Sequence, residues 1–152
     1  MSGLEVSGLT VRFGATVAVD RVDLEVPAGS VVAVLGPSGC GKSTLLRTVA
    51  GLEVPASGSV SYDGHDLART PTHKRGFALM FQDGQLFGHL DVAANIAYPL
   101  RLRRRSRAEQ RERVGELLSL VGLEGYAERS PATLSGGERQ RVALARALAV
   151  DP

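Results

Sequence analysis

The sequence SVVAVLGPSGCGKSTLLRTVAG, residues 30–51, decides the fold expected of the rest of the chain. A valine-rich apolar run (30–35) comes first, and residues 45–49 have helical spacing before Gly51. Between them, residues 36–43 fit the pattern G-x-x-x-x-G-K-[ST], which binds phosphate when a strand precedes it and a helix follows it. The segment therefore predicts a strand, a phosphate-binding loop (the P-loop) and a helix in succession.

The residue types in this loop have physical reasons. Glycines let backbone N–H groups turn inward toward an anion, and the following helix directs its positive end at the same point. In this pattern Lys42 reaches the β- and γ-phosphates of a nucleotide, and the Ser43 hydroxyl holds Mg²⁺. An ordinary glycine-rich turn is the alternative, and the strand before and the helix after favour phosphate binding. Cys40, the only cysteine, is expected to be a small side chain in a crowded turn.

Composition indicates one cytosolic domain. The chain has 152 residues, 43% of them hydrophobic, which is ordinary for a globular protein. No apolar run approaches the ~20 residues that span a bilayer, and the N-terminus lacks a signal-peptide pattern. The net charge of +2 is too small to indicate a nucleic-acid partner.

The first half of the chain predicts strands. Alternating apolar residues over 4–12 and 17–26 predict two antiparallel strands ahead of the P-loop strand. Residues 59–62 alternate in the same way and lead into Asp63-Gly64, a strong turn pair. The continuous apolar run 76–81 predicts a strand covered on both faces.

The second half predicts helices. Asp91 is a candidate N-cap for a helix that Pro99 should stop. Capping boxes at 106–109 and 135–138 open two further helices, the first of which should end at Gly122. The last helix is expected to bury its alanines together with two leucines, Leu144 and Leu148.

Four features follow one another along the chain: Phe13 after the first strand, the P-loop, Gln82 at the end of an apolar run, and the signature Leu134-Ser-Gly-Gly-Glu138. Their order and spacing resemble the ATP-binding subunit of an ABC transporter of the importer type. The resemblance covers essentially the whole chain. It implies an α/β P-loop NTPase fold with an N-terminal antiparallel β-subdomain and an α-helical insertion. A single ATP-binding domain would then span 1–152, with the β-subdomain and P-loop core to about residue 82 and the helical subdomain with the signature helix beyond it.

The resemblance assigns roles to individual residues, with ATP and Mg²⁺ as the cofactors. Lys42 and Gln82 match catalytic positions, and Ser43 and Gln82 match contacts to the metal. The aromatic side chain of Phe13 matches the one that stacks on adenine, although an ordinary core aromatic is the alternative. The residues matching nucleotide contacts are Phe13, Gly36, Ser38, Gly39, Cys40, Gly41, Lys42, Ser43, Thr44, Ser135, Gly136 and Gly137.

The signature has two interpretations from its chemistry alone. Ser135 is a good helix N-cap, and two glycines would let a phosphate approach the N–H groups of the first turn. Ser-x-x-Glu also caps helices in proteins that bind nothing. The resemblance favours the first interpretation, because in the family this signature contacts the γ-phosphate held by a second subunit. Two ATP-binding subunits would then pair head to tail.

Further partners also follow from the resemblance. Residues Asp83–Leu90 match the segment that receives the transmembrane permease subunits, so the protein would lie on the cytoplasmic face of the plasma membrane. A substrate-binding protein would act indirectly, through the permease. Leu86 and Phe87 are expected to be exposed for this contact, whereas a loop folded back on its own core is the alternative.

Two charged or polar features have simpler explanations. The arginine-rich segment 101–107 precedes Glu109 and Glu112, so a solvated linker with local ion pairs is expected, with a role beside anionic lipid as the alternative. The three histidines, His65, His73 and His89, have no metal-binding spacing.

The chain stops at Asp151-Pro152, ahead of the strand that carries the hydrolytic Asp-Glu pair in the family. The expectation is therefore a truncated chain with an incomplete core sheet, which binds ATP but hydrolyses it poorly or not at all. A non-transport ABC ATPase and a non-hydrolysing nucleotide-binding half-domain are the alternatives. Within the importers, the resemblance is to those serving thiamine, polyamines, ferric iron or molybdate, with a lean to thiamine or a polyamine.

Overall fold

The computed structural model describes residues 3–81 and 84–151. The chain divides into two compact units, Met1–Phe77 and Ala78–Pro152, which are described in turn. The first unit contains the strands and the P-loop, and the second is helical.

The first unit is a four-stranded antiparallel sheet with one helix. Its strands lie in the order β2-β1-β3-β4. The elements are β1 (Gly3–Phe13), β2 (Thr16–Pro27), α1 (Lys42–Ala50), β3 (Ser57–Tyr62) and β4 (His65–Asp66), with a short 3₁₀ turn at Thr72–Lys74.

The core of the first unit lies against this sheet, although register shifts in β1 between Val6 and Leu9 and between Leu9 and Val11 interrupt the usual alternation of buried and exposed residues. Its buried residues are Val6, Leu9, Val11, Val19, Val60 and Leu67, together with Leu45 of α1. The antiparallel pairing of the first two strands is confirmed. The Asp63-Gly64 turn is also confirmed, since both residues have positive φ (50° and 77°), as a tight hairpin turn requires.

Two predicted strands are wrong as predicted. Neither residues 30–35 nor residues 76–81 form a strand in the described structure. In the first run Val31 is 97% and Leu35 89% exposed. A strand forms only where its N–H and C=O groups can pair with a neighbouring strand. An apolar run indicates that a segment could be buried, but it does not indicate that a partner strand is present.

The second unit packs three helices around one core. They are α2 (Val92–Leu102), α3 (Arg107–Leu120) and α4 (Gly136–Leu148), with a 3₁₀ turn at Pro131–Thr133. All three predicted N-caps are confirmed: Asp91 accepts from the Ala94 N–H, and the two capping boxes form in full. The helix α3 ends before Gly122, whose φ of 65° suits glycine.

Two details of these helices differ from expectation. Helix α2 continues through Pro99 to Leu102, because Ile96, Ala97 and Leu100 are buried and the packing of that face outweighs the lost hydrogen bond. In α4 the buried face contains Val142, Ala143 and Ala145, whereas Leu144 is exposed.

Candidate functional site

Gly41 fixes the P-loop against the sheet. It is the N-cap of α1, with φ 92°, and its carbonyl accepts the Leu45 N–H at 2.8 Å. A Cβ atom at Gly41 would lie 2.1 Å from the Ala18 carbonyl oxygen of β2. Only glycine therefore fits at the point where the loop becomes the helix.

The Lys42 side chain folds back over the loop. Its ammonium group donates hydrogen bonds to the carbonyls of Gly36 at 2.8 Å and Pro37 at 2.7 Å, and it lies 3.4 Å from the Cys40 sulfur. A positive charge is thus held at the mouth of the loop. Cys40 is exposed rather than crowded, although a Cβ at Gly36 would lie 2.8 Å from its sulfur.

The start of α1 offers the groups that phosphate and Mg²⁺ need. No side chain of the described residues caps this helix, so the N–H groups of its first turn point outward with the positive end of the helix dipole. Ser43 is exposed and Thr44 half-buried in that turn. An ammonium, unpaired N–H groups and an exposed hydroxyl at one loop form a donor set that fits a phosphate with its metal ion.

Sequence reasoning missed the residue that anchors the other end of α1. The Arg75 guanidinium donates four hydrogen bonds of 2.8–3.3 Å to backbone carbonyls, and burial lowers its pKa, partly offset by the charge of Asp66. The four acceptors are Thr48, Val49, Leu67 and Thr70. A cation at a helix C-terminus interacts favourably with the helix dipole. The sequence around Arg75 does not indicate that its side chain lies at the end of α1, because that contact forms only on folding.

Phe13 lies at the end of β1 with half of its surface exposed. This exposure excludes the alternative of an ordinary core aromatic. Its stacking on adenine stays a prediction.

The signature residues begin α4 in the second unit. Ser135 Oγ accepts the Glu138 N–H at 3.3 Å, and Glu138 Oε2 accepts the Ser135 N–H at 2.7 Å. The Tyr126 hydroxyl donates to the other Glu138 oxygen at 2.9 Å. Hydrogen bonds lower the pKa of Glu138 to about 2; the largest effect comes from the Ser135 N–H, followed by the Ser135 and Tyr126 hydroxyls. The carboxylate is therefore held charged within the cap.

The two signature glycines are not required by packing in this unit. Both are exposed, and a Cβ atom at Gly137 would meet no atom within 4 Å. Around Gly136 only a terminal nitrogen of Arg139 comes as near as 4.0 Å. Glycine in a helix costs about 0.5–1 kcal/mol relative to alanine, and no contact within this unit requires it at these two positions.

The segment after Gln82 folds against its own unit. Leu86 packs on the helical core and Phe87 is half-buried, so the expected exposure of these two side chains is wrong. The physical reason is Asn95: its buried side-chain amide accepts the Phe87 N–H at 2.8 Å and donates to the Phe87 carbonyl at 3.1 Å. The Phe87 ring also contacts that of Tyr98, with centroids 4.6 Å apart.

The structure brings the P-loop residues together, and it places Ser135, Gly136 and Gly137 side by side in the second unit. Gln82 and Asp83 lie outside the described residues, so the roles predicted for Gln82 and the first residue of the 83–90 segment stay predictions.

The arginine-rich segment 101–107 lies where α2 ends and α3 begins. The arginine-rich segment is exposed, and Arg105 pairs with Glu109 at 3.3 Å, which confirms a solvated linker with a local ion pair. Over residues 3–81 and 84–151, no group of His, Cys, Asp and Glu side chains could hold a metal ion. No helix in the same part of the chain is long and apolar enough to cross a membrane.

Comparisons with known proteins agree with the geometry. A family model described as "ABC transporter" matches residues 19–152. An Fe(3+) ions import ATP-binding protein of Streptomyces coelicolor is 60% identical over 149 residues, covering 98% of this chain and 43% of that protein. Sulfate/thiosulfate import ATP-binding proteins of Mycobacterium bovis and Gloeobacter violaceus are each 52% identical over 147 residues, covering 97% of this chain and 42% and 43% of those proteins. The chain thus spans less than half the length of these relatives.

Proposed function

The chain belongs to the ABC transporter family, and we propose that it is the nucleotide-binding part of an import subunit that couples ATP binding and hydrolysis to solute uptake. The observation that supports this best is the start of α1, where Lys42 and an uncapped helix N-terminus meet at one loop. Lys42 would exchange its carbonyl partners for phosphate oxygens, and Ser43 would hold Mg²⁺. Phe13 would stack on the adenine.

Hydrolysis would require more than this loop. Positioning of the attacking water and neutralisation of charge supply most of the catalysis in phosphoryl transfer. Gln82 is proposed to contact the metal and the water. The Asp-Glu pair that acts with it in the family does not occur within residues 1–152.

We also propose that two copies pair head to tail through the signature. The open space around Gly136 and Gly137 and the exposed start of α4 support the approach of a phosphate held by a second copy. Two equivalent sites would then form across one isologous interface. The fold proposed for each copy is an α/β P-loop NTPase domain with an N-terminal antiparallel β-subdomain and an α-helical insertion.

The partner at the membrane would be a transmembrane permease. The segment from about Asp83 to Leu90 is its proposed docking site, and the subunit would sit on the cytoplasmic face of the membrane. The exposed residues Gln85, Gly88 and His89 leave this segment accessible even though Leu86 and Phe87 are half-buried. A substrate-binding protein would act through the permease, and no role in nucleic-acid binding is proposed.

The relatives narrow the proposed solute. Their names specify ferric ions and sulfate or thiosulfate, all small inorganic ions. We propose that the solute is an inorganic ion rather than the thiamine or polyamine favoured by sequence analysis. Ferric ion is the first candidate, because the ferric-ion import protein is 60% identical to this chain and the sulfate/thiosulfate import proteins are 52% identical.

Nucleotide binding is the direct test. Saturating MgATP at about a hundred times Kd should stabilise the chain by roughly 2.7 kcal/mol and raise its melting temperature. The Lys42→Ala variant should lose that shift. Lys74→Ala is the matched control, because it removes the other lysine of the chain, which is exposed at a 3₁₀ turn. An unchanged melting temperature with MgATP, or an equal shift in Lys42→Ala, would refute the proposal.

A further inference from the structure

Residues 84–90, called the 84–90 segment below, contact two helices of the second unit, α2 and α4. On one side, the Asn95 side chain of α2 is fully buried and donates to the carbonyls of Leu90 and Asp91 at 3.1 and 2.9 Å, in addition to its two bonds with Phe87. This amide fixes the shape of the segment, since every polar atom of a buried side chain needs a partner.

On the other side, α4 holds the same segment through Arg146. Its Nη2 donates to the Gln85 carbonyl at 2.5 Å, and its guanidinium carbon lies 5.2 Å from the centroid of the Phe87 ring. Gly84 approaches the same helix, because a Cβ atom there would lie 3.4 Å from the backbone of Arg139 and Gln140. The segment therefore contacts α4 near its beginning and near its end.

A planar guanidinium is suited to this double contact. It can donate in its plane to a carbonyl while its face or edge lies over an aromatic ring, and its donors are fixed in one fork. A lysine ammonium is a point charge without a plane and could satisfy only one of the two partners well. Arg146 thus connects both the Gln85 carbonyl and the Phe87 ring of the segment to one position on α4.

We propose that Arg146 is a positioning residue that makes the 84–90 segment and α4 move together. A partner that displaces the segment then shifts the helix that begins at Ser135-Gly136-Gly137. Arg146 is ten residues from Gly136 along one continuous helix, roughly 15 Å, so a movement at one end is carried to the other without an intervening loop. This inference rests on the proposed function, which supplies both the partner and the role of the signature.

The experiment uses the intact import subunit assembled with its permease in lipid nanodiscs. ATP hydrolysis is measured against MgATP concentration, which separates kcat from KM. In Arg146→Gln, kcat of the complex is expected to fall about tenfold, which is about 1.4 kcal/mol of activation free energy, while KM changes by less than about twofold. The matched control is Arg141→Gln, an exposed arginine on the same helix, which should keep both values.

The outcomes separate the inference from a purely structural role. A wild-type kcat in Arg146→Gln, or a rise in KM like that of Lys42→Ala, overturns it. If the Gln variant does not assemble, Arg146→Lys carries the test: kcat should lie between wild type and the tenfold loss, and full wild-type kcat overturns the inference. If the wild-type complex does not hydrolyse ATP, the proposed function itself is refuted. The inference about Arg146 is tested only when the wild-type complex is active, by comparing the variants with it.

Discussion

At the residue scale, two glycines that look alike in the sequence have different surroundings. Gly41 has φ 92° and would place a Cβ on the backbone of β2, whereas Gly137 is helical with open space around it. The first glycine is explained by packing within the unit. Packing within the unit does not require the second glycine, and the open space there is compatible with the phosphate contact proposed above.

Gly41→Ala should therefore destabilise the protein. The residue would combine a left-handed backbone with a Cβ contact of 2.1 Å, so a loss of about 1–3 kcal/mol is expected. Gly39→Ala is the control, because Gly39 also has a left-handed φ (81°) but open space around its Cβ position. Urea denaturation should show the larger loss for Gly41→Ala, and equal losses would contradict the packing argument.

Glu138 should make the second unit sensitive to acid. Its pKa is lowered from 4.5 to about 2 in the folded protein, so its contribution to stability is complete above about pH 4.5 and is lost as the pH falls toward 2. Glu138→Gln should reduce the free energy of unfolding above pH 4.5, and its difference from wild type should shrink between pH 4.5 and 2.

The measurement is the urea midpoint at several pH values from 2 to 6. Glu112→Gln, which alters an exposed carboxylate on α3, serves as the control and should follow the wild-type curve. A constant difference between Glu138→Gln and wild type across this range would show that the capping carboxylate does not titrate as described.

At the scale of the elements, the sequence correctly predicted the turns and helix N-caps that depend on residues close together in the chain. The Asp63-Gly64 turn and the three helix N-caps depend on neighbours within four residues, and the structure has all of them. The residues 30–35 and 76–81 depend on partners that no local pattern specifies, and they are not strands here. Prediction from sequence succeeded where the hydrogen-bond partners are close in the chain.

The same distinction applies to the candidate site. The P-loop pattern specifies its own backbone, so the glycines and Lys42 could be located from sequence alone. Arg75 and Asn95 act through carbonyls of residues that are brought near by folding, as far away as Thr48 in the case of Arg75. Their side chains satisfy buried backbone groups, and such roles appear only when the tertiary structure is known.

Pro99 offers a test of how packing overrides propensity. Proline inside a helix removes one hydrogen bond and costs up to about 3 kcal/mol, yet α2 continues past it because Leu100 is buried. Pro99→Ala restores the N–H group and should stabilise the chain by about 1 kcal/mol or more. Thermal denaturation with far-ultraviolet circular dichroism measures this, and a lower melting temperature would mean that the ring of Pro99 contributes packing that alanine cannot replace.

At the scale of the whole molecule, two surfaces predict two kinds of association. One is the exposed apolar run 30–35, with Val31 and Leu35 almost fully exposed, which favours self-association whether or not nucleotide is present. The other is the proposed head-to-tail pairing, in which a nucleotide on the P-loop of one copy meets Gly136 and Gly137 of the next. Only the second should depend on MgATP.

Sedimentation velocity with and without MgATP distinguishes the two. MgATP should shift the chain from monomer toward dimer, and Lys42→Ala should abolish the shift by removing the phosphate contact. Gly137→Leu should abolish it too while leaving the monomer folded, since a Cβ atom at that position meets no atom within 4 Å and the added side chain would fill the space a phosphate needs. Val31→Ser should instead reduce association in the absence of nucleotide and leave the MgATP-dependent part intact. A MgATP-dependent dimer that persists in Gly137→Leu would exclude the start of α4 from the interface and place the second nucleotide contact elsewhere.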